Sequence, residues 1–211
     1  MKDIGSITLV TGFILLFIGY LAGSRRNSSY QAQNAGEQRV RDALMANLPS
    51  RDWHLMNHLT LPRDGGGTTQ IDHVLISRRG IFVIETKDYS GWIFCSASQK
   101  LWMQITRRGR YQFQNPIQQN YGHLKAIERA LDFIEPQFIK GVVVFAGDSE
   151  FKKPPPAGVF SLDGLIAYLK TQTADTITEN RMQFAVGRLE CVRLALTSET
   201  DVEHVNKLRY K

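Results

Sequence analysis

Three charged residues sit where the surrounding sequence is otherwise apolar. Asp72 interrupts the run Gln70-Ile71-Asp72-His73-Val74-Leu75-Ile76, and Glu85 and Lys87 close the run Gly80-Ile81-Phe82-Val83-Ile84-Glu85-Thr86-Lys87. Side chains alternate along a strand, so Glu85 and Lys87, two positions apart, project to one face of a sheet. If the two runs form a hairpin about Arg78-Arg79-Gly80, Asp72 falls on the strand beside Glu85 and the carboxylates approach. Paired carboxylates repel unless a positive charge lies between them, and hard oxygen donors suit Mg²⁺ or Mn²⁺. An ammonium close by can position water or stabilise charge developing on a phosphate. These are the parts of metal-assisted phosphodiester hydrolysis. The same spacing also accommodates an ordinary ion pair of Lys87 with Glu85 or Asp72.

The elements that must position these residues follow from periodicity. Residues 35–48 carry Val40, Leu44 and Leu48 at helical spacing, and Pro49 stops the helix. Trp53 to Leu61 reads as a strand, followed by a loop from Pro62 to Gly67 and the two runs described above, Thr69 to Ser77 and Ile81 to Lys87. Short strands at Gly91–Phe94, Leu101–Thr106 and Tyr111–Phe113 extend a β meander. Beyond Asn115-Pro116, Gln119 to Ile134 has apolar residues at 121, 124, 127, 131 and 134, a second amphipathic helix. Gly141 to Ala146 is a continuous apolar run, as in a strand buried on both faces. Lys152 to Pro156 is a loop, and 162–169 and 179–196 read as helices. The implied fold class is α/β, with a mixed sheet flanked by helices. Trp92 and Trp102 are expected in the core. Tyr89 lies near the acidic pair, and His73 points away from Asp72 in a regular strand, as a packed or surface histidine would.

The segments Gly36-Glu37-Gln38-Arg39-Val40, Gln70 to Ile76, Gly80 to Gly91 and Asn115-Pro116-Ile117-Gln118-Gln119-Asn120 together resemble the NERD, or nuclease-related, domain over residues 35 to 145. That family is similar to the restriction-endonuclease-like superfamily with its PD-(D/E)xK site and αβββαβ core. The resemblance implies Asp72 and Glu85 as metal ligands for Mg²⁺ or Mn²⁺ and Lys87 as the catalytic lysine. It also implies that Glu37, on the first helix, joins the metal site directly or through water, and that Gln119 orients substrate or water. Without the resemblance, Glu37 is a favourable charge near a helix N-terminus and Gln119 a polar helix residue; Gln70 and His73 match less well.

Composition frames this core. With 26 Lys and Arg against 20 Asp and Glu the chain of 211 residues carries +6, and Lys2 cancels Asp3, so the whole excess sits on residues 24–211. Arg78 and Arg79 on one predicted turn, and Arg107, Arg108 and Arg110 on another, are placed to grip a nucleic-acid backbone, with DNA the expected substrate. The same basic surface would also suit anionic lipid. A fraction of 43% hydrophobic residues excludes a disordered chain, and two cysteines without ligand spacing exclude a disulfide scaffold or a cysteine zinc site.

The first residues are of another kind. Ile4 to Ala22 are 19 uncharged residues, 13 of them apolar. A helix of that length spans roughly 28 Å, near the thickness of a bilayer's hydrocarbon. Arg25 and Arg26 beyond it place the C-terminal part in the cytoplasm by the positive-inside rule. The glycines at 5, 12 and 19, and the Gly19/Gly23 pair, would let one helix face pack on a second copy. The expected organisation is an anchor at 1–23, a linker at 24–34, the nuclease-like domain at 35–150 and a helical extension at 151–211 packed on it. The expected function is a membrane-anchored, metal-dependent nuclease. A tethered module that binds nucleic acid without cleaving it, and a nuclease exported after signal cleavage, are the competing readings.

Overall fold

The structure, a computed structural model, describes residues 35–194. No helix among them is long and apolar enough to cross a membrane. The expected span at 4–22 and the expected linker lie outside the described residues.

Helix α1 (35–47) leads into a five-stranded mixed sheet. Its strands are β1 (Trp53–Pro62), β2 (Thr68–Ser77) and β3 (Gly80–Lys87), joined as antiparallel neighbours, then β7 (Ile139–Phe145) and β9 (Val159–Ser161), which run parallel to β3. A second sheet of order β6-β5-β4-β8 contains β4 (Gly91–Phe94), β5 (Leu101–Thr106), β6 (Gly109–Gln114) and β8 (Ser149–Phe151). The strands expected to continue one meander therefore divide between two sheets, with the change at Asp88–Ser90. Gly91 opens the second sheet with φ of +79°, and a Cβ there would meet the Ile105 carbonyl oxygen at 2.4 Å.

Three helices complete the unit: α2 (Pro116–Ala130), α3 (Leu162–Thr171) and α4 (Glu179–Val192). Helix α2 starts at Pro116, three residues before the periodicity suggested, because Asn115 caps it and proline fits its first turn. It stops at Ala130 rather than Ile134. Pro136, which cannot sit within a helix, leaves Leu131 to Ile134 as a turn that still buries Leu131 and Ile134. Both hairpin turns are tighter than expected: Ser77 pairs with Gly80, leaving Arg78–Arg79, and Thr106 pairs with Gly109, leaving Arg107–Arg108 and placing Arg110 on β6 rather than on the turn.

The core has three parts. On one face of the main sheet Val74, Ile76, Ile81 and Val83 pack against Ala126 and Ile127 of α2 and Met182, Ala185 and Leu189 of α4. On the other, Leu75, Phe82, Ile84, Val142 and Val144 meet Val40 and Leu44 of α1 and Leu165 and Leu169 of α3. The second sheet covers the remaining side of β7, where Ile93 and Trp102 join Val143 and Phe145. Strand β7 is thus enclosed on both faces, which is why its sequence is apolar without alternation. Trp102 is buried as expected, whereas Trp92 is half exposed, at 48%, because it lies on the face of β4 turned away from that core.

Candidate active site

The site forms where the main sheet opens. The β2–β3 ladder ends at the pair His73 and Ile84, and Asp72 and Glu85 come next in the same register. There the Thr86 N–H donates to the Asp72 carboxylate at 2.7 Å, so a side chain takes the place of a ladder partner. On Asp72's other side β1 also departs from regular form. Asn57 pairs with His73 and Leu59 with Ile71, but His58 between them adopts φ of +50°, a conformation costing a non-glycine residue about 1–2 kcal/mol. Ile71 and Val74 share one core cluster although alternation would separate them. The irregularity is therefore centred on Asp72.

Glu85 is 1% exposed and holds two partners. Lys87 Nζ donates to its Oε1 at 2.6 Å, and His123 Nε2 lies 3.0 Å from its Oε2. Lys87 Nζ also donates to Gln119 Oε1 at 3.0 Å. Behind this layer, His123 Nδ1 is 2.7 Å from Thr69 Oγ1, so a buried chain of contacts runs from β2 through α2 to β3. Gln119 and His123 share a face of α2 through their i, i+4 spacing. Asn120, between them in sequence, donates to the Val83 and Val142 carbonyls at 2.9 Å each and fixes α2 to β3 and β7.

The charges are unevenly settled. Burial, with repulsion from Glu85 and Glu37, holds the Asp72 carboxyl well above the ordinary range, despite the Thr86 hydrogen bond and the Lys87 charge. Burial would also raise Glu85, but the His123 hydrogen bond and the Lys87 charge outweigh it and keep Glu85 below the usual value. Burial acts to lower Lys87, and the charge and hydrogen bond of Glu85 more than offset it, so Lys87 remains an ammonium. Glu37 is pushed up to about 7 by burial and by Glu85, with Lys87 opposing. His58 Nδ1 lies 3.2 Å from Glu37 Oε2, an ion-pair distance without hydrogen-bond alignment, and that buried oxygen accepts no hydrogen bond.

Four of the residues singled out in the sequence are thus drawn together, Asp72, Glu85, Lys87 and Gln119, with Glu37 within electrostatic reach of them. His73 is packed: its Nδ1 lies 2.7 Å from Asn57 Oδ1, and burial, with His58 and Arg41, pushes its ring down to about 3. Tyr89 packs its ring against Phe113 and Phe145 and lies within electrostatic reach of Lys87. Arg78 and Arg79 are not brought to the site. Their turn is at the other end of the hairpin, six residues or about 20 Å from Asp72 along the strand. There Arg78 pairs with Asp175 at 2.6 Å, and Arg79 lies over Trp53 and 3.4 Å from Asp52. The Arg107–Arg108 turn lies on the site's side, because Gly91, four residues after Lys87, is next to Thr106 in the β4–β5 register.

A divalent ion is the group that the family resemblance implies, and the donors are of the right chemistry. Glu85 raises the cost of ionising Asp72 and Glu37, Glu37 adds to that of Asp72, and one oxygen of Glu37 lacks a hydrogen-bond partner. Among the described residues no three His, Cys, Asp or Glu side chains form a ready ligand set. The fit is therefore one of donor type.

Comparison with known proteins adds the family. Residues 32–146, more than half of the chain, match the nuclease-related domain. The chain belongs to the nuclease-related domain family. This NERD domain has a restriction-endonuclease-like fold. Over 94 residues it is 43% identical to an uncharacterized protein of Bacillus anthracis, covering 44% of each chain. Over 164 residues it is 27% identical to a Streptomyces coelicolor protein named probable kinase PglW, covering 73% of this chain and 10% of the relative. The chain thus spans less than half the length of these relatives. Sequence reasoning missed His123, Thr69 and Asn120 in the NERD site; the i, i+4 spacing of Gln119 and His123 is the signal that could have found the first.

Proposed function

We propose that this NERD protein is a metal-dependent nuclease that hydrolyses phosphodiester bonds of nucleic acid, with DNA as substrate, and that residues 4–22 tether it to a membrane with the domain in the cytoplasm. The observation that carries the catalytic part is the cluster of buried Asp72 and Glu85 with half-buried Lys87 at the open end of β2 and β3. Asp72, Glu85 and Glu37 would hold Mg²⁺ or Mn²⁺. A bound divalent ion supplies Lewis-acid polarisation of a phosphoryl oxygen and lowers the pKa of bound water.

The chain's own residues supply the rest. Lys87, kept as an ammonium, is a donor rather than a general base: two of its three protons point to Glu85 and Gln119, and the third can bind a water or a phosphate oxygen. Gln119 fixes the direction of that donor. His123, held by Thr69, orients Glu85 through its second oxygen.

The competing reading, a non-catalytic binding module, draws on the lack of a finished ligand set among the described residues and on Lys87 already neutralising Glu85. Metal titration of the full chain separates the two. The nuclease reading predicts saturable Mg²⁺- or Mn²⁺-dependent cleavage of DNA that Asp72→Asn abolishes. Nucleic-acid binding without cleavage at any metal concentration supports the binding module.

A further inference from the structure

The second sheet carries a cleft that the carboxylate cluster does not use. It has a volume of about 810 Å³, and Trp92, Tyr111, Arg107, Arg108, Asp148 and Glu150 are among the residues that line it. That volume falls within the ~300–1,000 Å³ typical of sites for one organic ligand. Trp92 and Tyr111 are each 48% exposed, so both rings are open to a ligand in the cleft. Trp92 lies beside Ile105 and Tyr111 beside Gln104 in the register, so the rings belong to opposite faces and the cleft runs around the end of the sheet. The Arg107–Arg108 turn stands at that end.

We propose that this cleft seats an unpaired stretch of the substrate strand, its bases stacked on Trp92 and Tyr111 and its phosphates on Arg107 and Arg108. The proposal rests on the nucleic-acid reading above. The exposed rings favour an unpaired strand, and the charges around them suit nucleic acid. Aromatic rings can stack only on bases whose faces are free, and a paired, stacked duplex does not offer them. Neither Arg107 nor Arg108 is engaged in an ion pair among the described residues, whereas Arg78 and Arg79 at the other turn are. The lining acids fit base edges rather than phosphates: Asp148 can accept from an exocyclic amine, while Glu150 is neutralised by Lys152, whose Nζ lies 4.3 Å over the Trp92 ring.

Position makes the cleft relevant to cleavage. Ser90, at its edge, is three residues beyond Lys87, at most about 11 Å of extended chain. Asp148 and Ser149 follow β7, whose last residue, Phe145, pairs with Lys87. A strand held in the cleft would therefore place a phosphodiester a few nucleotides away at the carboxylates.

The test uses the full chain with chelator present, so that nothing is cleaved, and compares a fluorescent 15-nucleotide single strand of mixed sequence with a duplex of equal length. Trp92→Ala and Tyr111→Ala should each weaken binding of the single strand about five-fold or more and leave the duplex unchanged, with Tyr111→Phe restoring the single strand. Arg107→Ala with Arg108→Ala should weaken both and flatten the salt dependence on the single strand by a log–log slope of about 1.4. Both rings are half exposed, so these variants should retain the wild-type melting temperature. Unchanged single-strand binding in the aromatic variants, or equal loss on both probes, overturns the proposal. The nuclease reading fails separately: aromatic-dependent binding in a wild type that never cleaves with Mg²⁺ keeps the cleft and discards the hydrolysis.

Discussion

Glu37 is the residue whose titration the fold changes most usefully for a measurement. Its carboxyl is pushed up to about 7 from an ordinary 4.5, first by burial and then by Glu85. The folded state therefore holds this proton more tightly than the unfolded chain. The resulting stabilisation is fully present below pH 4.5 and is lost as pH rises through 7. In chelator, Glu37→Gln should be more stable than wild type at pH 8, and the gap should close toward pH 4.5 in urea unfolding midpoints. A constant gap would remove Glu37 from the buried cluster. The sequence disclosed Asp72, Glu85 and Lys87 because each is a charge inside an apolar strand, where only function or pairing tolerates it. It disclosed Glu37 and Gln119 only through family resemblance. His123 and Thr69 stayed hidden, since a histidine in a helix and a threonine in a strand are ordinary until the fold joins them to Glu85.

Helix α2 is the element on which the site depends, and Asn115 fixes its start. The Asn115 side chain is fully buried, accepts from the Ile117 N–H at 2.9 Å and donates to the Gln99 and Ala97 carbonyls at 2.7 and 3.1 Å. Asn115→Ala removes the cap and leaves buried carbonyls without donors. It should cost about 1–3 kcal/mol in denaturant unfolding, and a loss below about 0.5 kcal/mol would contradict this role. Long or strongly patterned elements were legible in the sequence: α1 follows its apolar period, and β2, β3 and β7 are apolar runs. The division of the β strands into two sheets was not. Strands as short as β4, with four residues, and β8 and β9, with three each, carry too little pattern to identify a pairing partner. That division is what exposes Trp92, which the sequence alone placed in the core.

At the scale of the whole molecule, a surplus of six positive charges lies on residues 24–211, beside a neutral N-terminal stretch. Such a surface favours phosphate-rich partners, and the tether proposed at 4–22 would keep the domain close to a membrane. On fractionation, the full chain should sediment with membranes and resist extraction by high salt, and a chain lacking residues 1–23 should move to the supernatant. Recovery of the full chain in the supernatant would contradict the tether. The central claim, however, is chemical. It is tested most directly by single-turnover cleavage of DNA in Mg²⁺ by the wild-type protein and Lys87→Ala at equal, verified fold. Loss of the Lys87 ammonium should reduce the rate at least about 100-fold with little change in DNA binding. Cleavage by Lys87→Ala at the wild-type rate would contradict the account.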